Sequence, residues 1–204
     1  MRVLLSICFF LLSNLVLAQD DPNIVLLDTD DTWRKEAFTF PKPFAPEVDF
    51  QGVADVRFTH GWSKQDSPLF WSYAFAWKID LDERLSDAEL ERYLELYFDG
   101  LMTAVNRDKE IIVPVTNALF ESTFSEEALS YKGKIKLYDA FFSKDMLTLH
   151  VNGSYQYCMK EDKHIYLFRL SAKESDQIEW NYLNKAVLDG DLSLIHISEP
   201  TRPY

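Results

Sequence analysis

The chain has 204 residues, 47% hydrophobic and 15% aromatic, which suits one ordinary domain with its own core and excludes a disordered or low-complexity polymer. Its 33 acidic and 21 basic residues give a formal net charge of −12. That balance argues against nucleic acid as a partner, because neutralising phosphates needs clustered Lys and Arg, and it disfavours anionic membrane surfaces for the same reason.

Residues 1–18 have the three parts of a signal peptide: Arg2, an apolar run from Val3 to Leu12, and the small-residue cleavage motif Val16-Leu17-Ala18. The expectation is an exported protein, periplasmic or extracellular, with no membrane insertion, since no later stretch resembles a spanning helix. Cys8 would leave with the signal, so Cys158 would remain alone, with no internal disulfide. It reads as a small buried hydrophobe.

Residues 19–31 read as a solvated acidic linker around Ile24-Val25-Leu26-Leu27. Asp28, Asp30 and Asp31 have part of a calcium-loop spacing but lack its glycine and closing glutamate. Residues 33–46 alternate apolar and polar before breaking at Pro41, Pro43 and Pro46. The prolines confine this stretch to an edge strand or an extended arm over the core. Through Trp33, Glu36, Phe38, Phe40-Pro41, Phe44-Ala45-Pro46 and Gly52, followed by an aromatic strand and a helix, the chain resembles a set of secreted bacterial proteins of unknown function. That resemblance implies bacterial origin and export, and no activity, substrate or cofactor. At the other end, 192–202 (LSLIHISEPTR) resembles a translated sequencing adapter. This implies a natural chain truncated near Asp191 and no role for His196. The expected organisation is signal peptide 1–18, acidic and Pro-rich arm 19–46, a single domain 47–191, and an artefactual tail 192–204.

Within the domain, 53–59 reads as a strand and 60–68 as a turn-rich loop. Residues 69–79 read as a central strand, apolar on both faces, covered by a helix on one side and by loops or the arm on the other. Its stripe Trp71, Tyr73, Phe75 and Trp77 is either a sugar-stacking platform or, more ordinarily, core. Helix 86–106 carries a capping box, Ser86 with Glu89, and a stripe of Leu90, Tyr93, Leu94, Tyr97 and Leu101. Glu91, Arg92, Glu95 and Asp99 form its solvated side. Residues 111–119 read as an edge strand, 121–130 as a short helix or loop, 131–142 as a strand, and 175–188 as a final helix with Ile178, Tyr182, Leu183 and Ala186 inward.

Residues 146–171 read as a three-stranded meander with turns at Asn152-Gly153 and Glu161-Asp162. This register puts Leu147, Leu149, Val151, Cys158, Ile165 and Leu167 on one face. Tyr155, Tyr157, Tyr166, Phe168, Thr148, His150 and His164 fall on the other. The expected fold is α+β: a mainly antiparallel sheet of about six or seven strands, with two main helices packed on one face. The aliphatic face should meet the helices. The half-wet aromatic face should stay partly open, or be covered only by the Pro-rich N-terminal arm; if open, it is a ligand surface with contacts from Tyr155, Tyr157, Tyr166, Phe168, His150 and His164.

There is no Gly-rich phosphate loop, no H-E-x-x-H and no Cys-x-x-Cys. No cofactor is expected, and no metal, since His150 and His164 would stand about 13 Å apart along the strands. The leading expectation is a non-catalytic binding or interaction domain for an unknown ligand or protein. The alternative is a secreted hydrolase using His60, which a loop can present, with an acidic partner. A deep pocket holding His60 and a carboxylate would favour the enzyme; an open aromatic groove without titratable pairs would favour the binder.

Overall fold

A computed structural model describes residues 23–107, 111–125 and 128–193. The signal-peptide reading of 1–18 and the adapter-like residues from 194 onward lie outside them. In chain order the elements are β1 (Leu27–Asp28), β2 (Arg34–Phe40), β3 (Gln51–Phe58), β4 (Tyr73–Asp80), α1 (Asp87–Val105), β5 (Asn117–Phe124), β6 (Leu129–Tyr138), β7 (Met146–Cys158), β8 (Lys163–Ser171), α2 (Trp180–Leu183), β9 (Val187–Leu188) and α3 (Gly190–Ser193). Seven strands form one antiparallel sheet in the order β2-β3-β4-β8-β7-β6-β5, and β1 pairs with β9 beside it. The mainly antiparallel sheet is as expected. Two main helices on one face are not: α1 is the one long helix described, while the expected 175–188 helix is reduced to the four residues of α2, with Ile178 78% exposed.

Helix α1 starts where Ser86 caps the Glu89 N–H and the Glu89 side chain returns to the Ser86 N–H. Leu90, Leu94, Phe98 and Met102, one turn apart, bury into the main core. Its acidic flank is not simply solvated. Asp87, Glu91, Glu95 and Asp99 accept the backbone N–H groups of Ser122, Phe120, Ala118 and Thr116 at 3.0, 2.7, 2.8 and 2.6 Å. Four residues of helix advance about 6 Å, and two residues of strand about 6.8 Å. A carboxylate every helical turn therefore meets three alternate N–H groups of edge strand β5, at Ala118, Phe120 and Ser122, and that of Thr116 just before it. On its other flank α1 lies against the segment after β2. Tyr97 packs on Phe38, Phe40 and Phe44, and a Cβ on Gly100 would stand 2.0 Å from the Phe44 carbonyl oxygen.

The meander is where expectation and structure part. Asn152-Gly153 is not a turn; β7 runs unbroken for 13 residues. Both its edges are paired, to β6 and to β8, so the backbone groups a turn would release are already bonded. Gly153 is required there by close approach: it stands opposite Phe168, whose ring a Cβ would meet at 3.0 Å. Losing that turn moves Leu147, Leu149 and Val151 onto the face of Tyr155 and Tyr157, and moves Thr148 and His150 away from it. The second turn is a four-residue connection, pairing Cys158 with Lys163 rather than Ile165. A slip of two preserves faces, so Tyr155, Tyr157, Tyr166 and Phe168 do lie opposite Cys158 and Ile165.

That aromatic face, not the aliphatic one, meets α1. Tyr166 and Phe168 are 0% exposed in the cluster that includes Leu90, Leu94 and Phe98. Aromatic rings have more apolar area to remove from water. The Tyr166 hydroxyl avoids the usual penalty by accepting the Leu85 N–H at 2.8 Å. Tyr73, Phe75 and Trp77 line the same core, so the stripe is core.

On the opposite face Ala74, Ala76, Cys158, Ile165 and Leu167 form a second cluster with Leu26, Leu27, Trp33, Trp180, Leu183, Ala186 and Leu192. Leu26 and Leu27 are 2% and 1% exposed, so the stretch expected to be a solvated linker is docked. Asp55, fully buried, accepts the N–H groups of Leu26 and Leu27 and two bonds from Arg57, whose guanidinium also donates to the Leu27 carbonyl and the Thr29 hydroxyl.

Two outcomes follow. Asp55→Ala removes the carboxylate partner of the partly buried Arg57 and leaves two buried N–H groups unpaired, and should cost about 3 kcal/mol in urea unfolding; a loss under 1 kcal/mol would show the hub to be dispensable. Glu91→Ala with Glu95→Ala uncovers the β5 edge and should produce concentration-dependent self-association in gel filtration, whereas the double Gln variant, which keeps its acceptors, should stay at the wild-type elution volume.

Candidate functional site

The sheet has two ends, and each gathers chemistry. At the end made by the 81–86 and 159–162 connections, Tyr155, Tyr157, Tyr166 and His164 come together, joined by Arg84 and Tyr131, which the sequence reading did not name as site residues. The Tyr155 hydroxyl lies 3.0 Å from His164 Nδ1. Arg84 donates to the Tyr131 hydroxyl at 3.3 Å and sits 6.0 Å over the Tyr155 ring. Tyr157 donates to Asp162. Burial pushes the Tyr155 phenol up to about 12 and holds the His164 imidazole below its ordinary value. At neutral pH this is a cluster of uncharged phenols and a neutral imidazole. His164 is buried at 5% exposure; Tyr155 and Tyr157 are half-buried.

Of the expected ligand contacts, Tyr166 and Phe168 have no surface to offer. His150 is on the opposite face from His164, half-buried beside Lys134, Asn152 and Ser175 in a shallow depression of about 250 Å³. Burial, and then Lys134, keep its imidazole below the ordinary value.

His60 is exposed, with its ring edge-on to Tyr182 at 5.8 Å. A carboxylate is near: the Asp30 carboxyl is held low first by hydrogen bonds from Thr32, with smaller pulls from Lys185 and His60. No ion pair forms between Asp30 and His60, and neither lines either depression described here. Among the described residues no three His, Cys, Asp or Glu side chains come together as a metal-binding group.

The opposite end holds the larger depression, about 600 Å³ and open to solvent, lined by Ser63, Gln65, Asp66, Phe141 and Phe142. Two loops build it, 59–72 and 139–145. Asp139 organises the second: fully buried, it accepts the N–H groups of Phe141, Phe142 and Ser143 and the Ser143 hydroxyl. Burial would raise its carboxyl; those donors outweigh it and hold it below the usual range. Beneath the rings, Trp62 packs on Phe142 at 5.2 Å and on Phe58 at 4.3 Å. Trp71 and Lys144, one in each loop, adopt left-handed φ of 53° and 57°, a conformation that costs a residue with a side chain about 1 kcal/mol.

Sequence reading missed Phe141 and Phe142, which it assigned to a strand. One signal could have found them: aromatic-Ser-Lys followed by Asp occurs in both loops, as Trp62-Ser63-Lys64-Gln65-Asp66 and Phe142-Ser143-Lys144-Asp145. Comparison with family models, with curated proteins and with solved structures returns no match for this chain.

The His164 environment predicts a pH dependence. Its folded-state pKa lies below the ordinary 6.5, so the unfolded chain takes up the proton first as pH falls. The stability it contributes is complete above pH 6.5 and is lost as pH drops through the lower folded value. Tm should fall between pH 7 and pH 5, and His164→Gln should flatten that slope; parallel slopes would assign the loss to other groups.

Proposed function

We propose that this chain is a non-catalytic binding domain that works after export, in the periplasm or outside the cell. One observation carries the reading: the depression of about 600 Å³ between loops 59–72 and 139–145 is an open aromatic surface whose lining contains a single carboxylate, Asp66, and no second titratable group. Acid–base catalysis needs two groups of opposed protonation or one activated group. A surface of half-buried rings and exposed polar side chains holds a ligand without needing either. The volume falls in the range of small-ligand sites, roughly 300–1,000 Å³. Export is supported by the three-part signal sequence at residues 1–18.

The hydrolase reading rests on His60 and Asp30, which stand near each other on the exposed surface. Catalysis there would need water to be excluded around the pair, and both side chains are open to solvent.

The test is a thermal-shift screen of the purified chain against sugars, amino acids, short peptides and organic acids. A ligand should raise Tm in wild type and in His60→Ala, and fail to do so in Phe142→Ala. Chromogenic ester or glycoside turnover lost in His60→Ala would reverse the assignment.

A further inference from the structure

We infer that the ligand class of the depression between loops 59–72 and 139–145 is a neutral carbohydrate, an inference that rests on the binding-domain reading above. Two features of a sugar ring must be matched at once: an apolar face of C–H groups and a rim of hydroxyls. Phe141 and Phe142 supply the surface for the first. Both are half-buried, so part of each ring faces solvent, and an aromatic face gains from covering such C–H groups. Ser63, Gln65 and Asp66 supply the second. All three are exposed, and among the described residues their side chains make no hydrogen bond. They bring a hydroxyl, an amide and a carboxylate, which together offer both donors and acceptors to a rim of hydroxyls.

The same lining disfavours the competing classes. An aliphatic ligand would cover those polar groups and leave them unpaired. An anionic ligand would meet Asp66 with no cation lining the depression, on a chain of net charge −12. Lys144, the basic residue of its loop, is exposed and donates to the Ala140 and Phe141 carbonyls.

The site is also built before any ligand arrives. Asp139 ties down the backbone at Phe141, Phe142 and Ser143, and Trp62 fixes the rings from below, 5.2 Å from Phe142 and 6.4 Å from Phe141. Rings held in place lose little freedom on binding, which suits a ligand whose single-ring contacts are weak. Strain at Trp71 and Lys144 marks the same two loops as places where the fold gives up some stability to hold a shape.

Trp62 provides the readout. The full chain should be titrated with cellohexaose, xylohexaose, mannohexaose and chitohexaose while following tryptophan emission. A set of Leu- and Phe-containing tetrapeptides and a sulfated oligosaccharide serve as comparators. The expected result is a saturable change with at least one neutral hexasaccharide, weakened tenfold or more in Phe142→Ala. Gln65→Ala and Asp66→Ala, whose exposed positions leave the fold intact, should weaken it several-fold. Binding unchanged in all three variants would overturn the inference. So would saturable binding of the tetrapeptides or the sulfated comparator alone, but that result would leave the binding-domain reading standing if Phe142→Ala abolished it. Release of reducing ends from a bound hexasaccharide would do the reverse, keeping the ligand class and ending the non-catalytic reading.

Discussion

An open sheet of seven strands has two raw edges, and the way this chain covers the β5 edge shapes much of the rest. Alternate N–H groups from Thr116 through Ser122, along the β5 edge, are taken by four carboxylates of α1, one per helical turn. The match works because four helical residues and two strand residues cover nearly the same distance. Once seated on that edge, the helix has no freedom to rotate. Its acidic stripe faces β5, its leucines and Phe98 point into the core, and Tyr93, Tyr97 and Gly100 meet the segment following β2. A strand edge that would otherwise invite another chain is turned into the wall that positions the main core.

With α1 in place, the sheet's two faces have different tasks. One is filled by large rings and long aliphatics: Trp77, Phe75, Tyr166, Phe168 and Tyr131. The other presents small side chains, Ala74, Ala76 and Cys158, which leave room for chain ends rather than for a second long helix. The N-terminal segment and the α2 region dock there through backbone groups. Asp55 and Arg57 hold Leu26 and Leu27, Arg169 donates to the Ala186 carbonyl, and β1 pairs with β9. Buried charges are expensive unless fully bonded, and here their bonds fasten these two segments to the sheet.

With α1 on one face and one edge, and the β1 and α2 regions over part of the other face, the sheet gathers a side-chain cluster at each of its two ends. One end is an internally bonded cluster of uncharged Tyr131, Tyr155, Tyr157 and His164 with the Arg84 guanidinium. Its polar atoms largely satisfy one another. The other end has rings and polar groups that do not: Phe141 and Phe142 are held by Asp139 and Trp62, while the exposed Ser63, Gln65 and Asp66 side chains make no hydrogen bond among the described residues. Unspent hydrogen-bonding groups beside fixed aromatic surface are what distinguish the second end.

Local pattern in the sequence was sufficient for α1, whose capping box and one-turn repeat leave no other reading, and for β4, where apolar residues on both faces require cover on both sides. It was also sufficient to place Tyr155 and Tyr157 opposite Cys158, by alternation along one strand, and to put Tyr166 and Phe168 on the tyrosines' face, because the error in the second turn was an even number of residues. Tertiary structure alone decided the rest. Asn152-Gly153 carries the local signal of a turn, yet pairing on both sides keeps β7 straight, and the glycine serves the ring of Phe168 instead. That one outcome inverts half a strand, separates His150 from His164 and dismantles the expected ligand face. The acidic stripe of α1 looks like an ordinary solvated flank until a strand edge with matching spacing lies beside it. Periodicity is a property of one segment and can be read from it; which bonds a segment leaves unsatisfied, and what arrives to satisfy them, depends on neighbours distant in the chain.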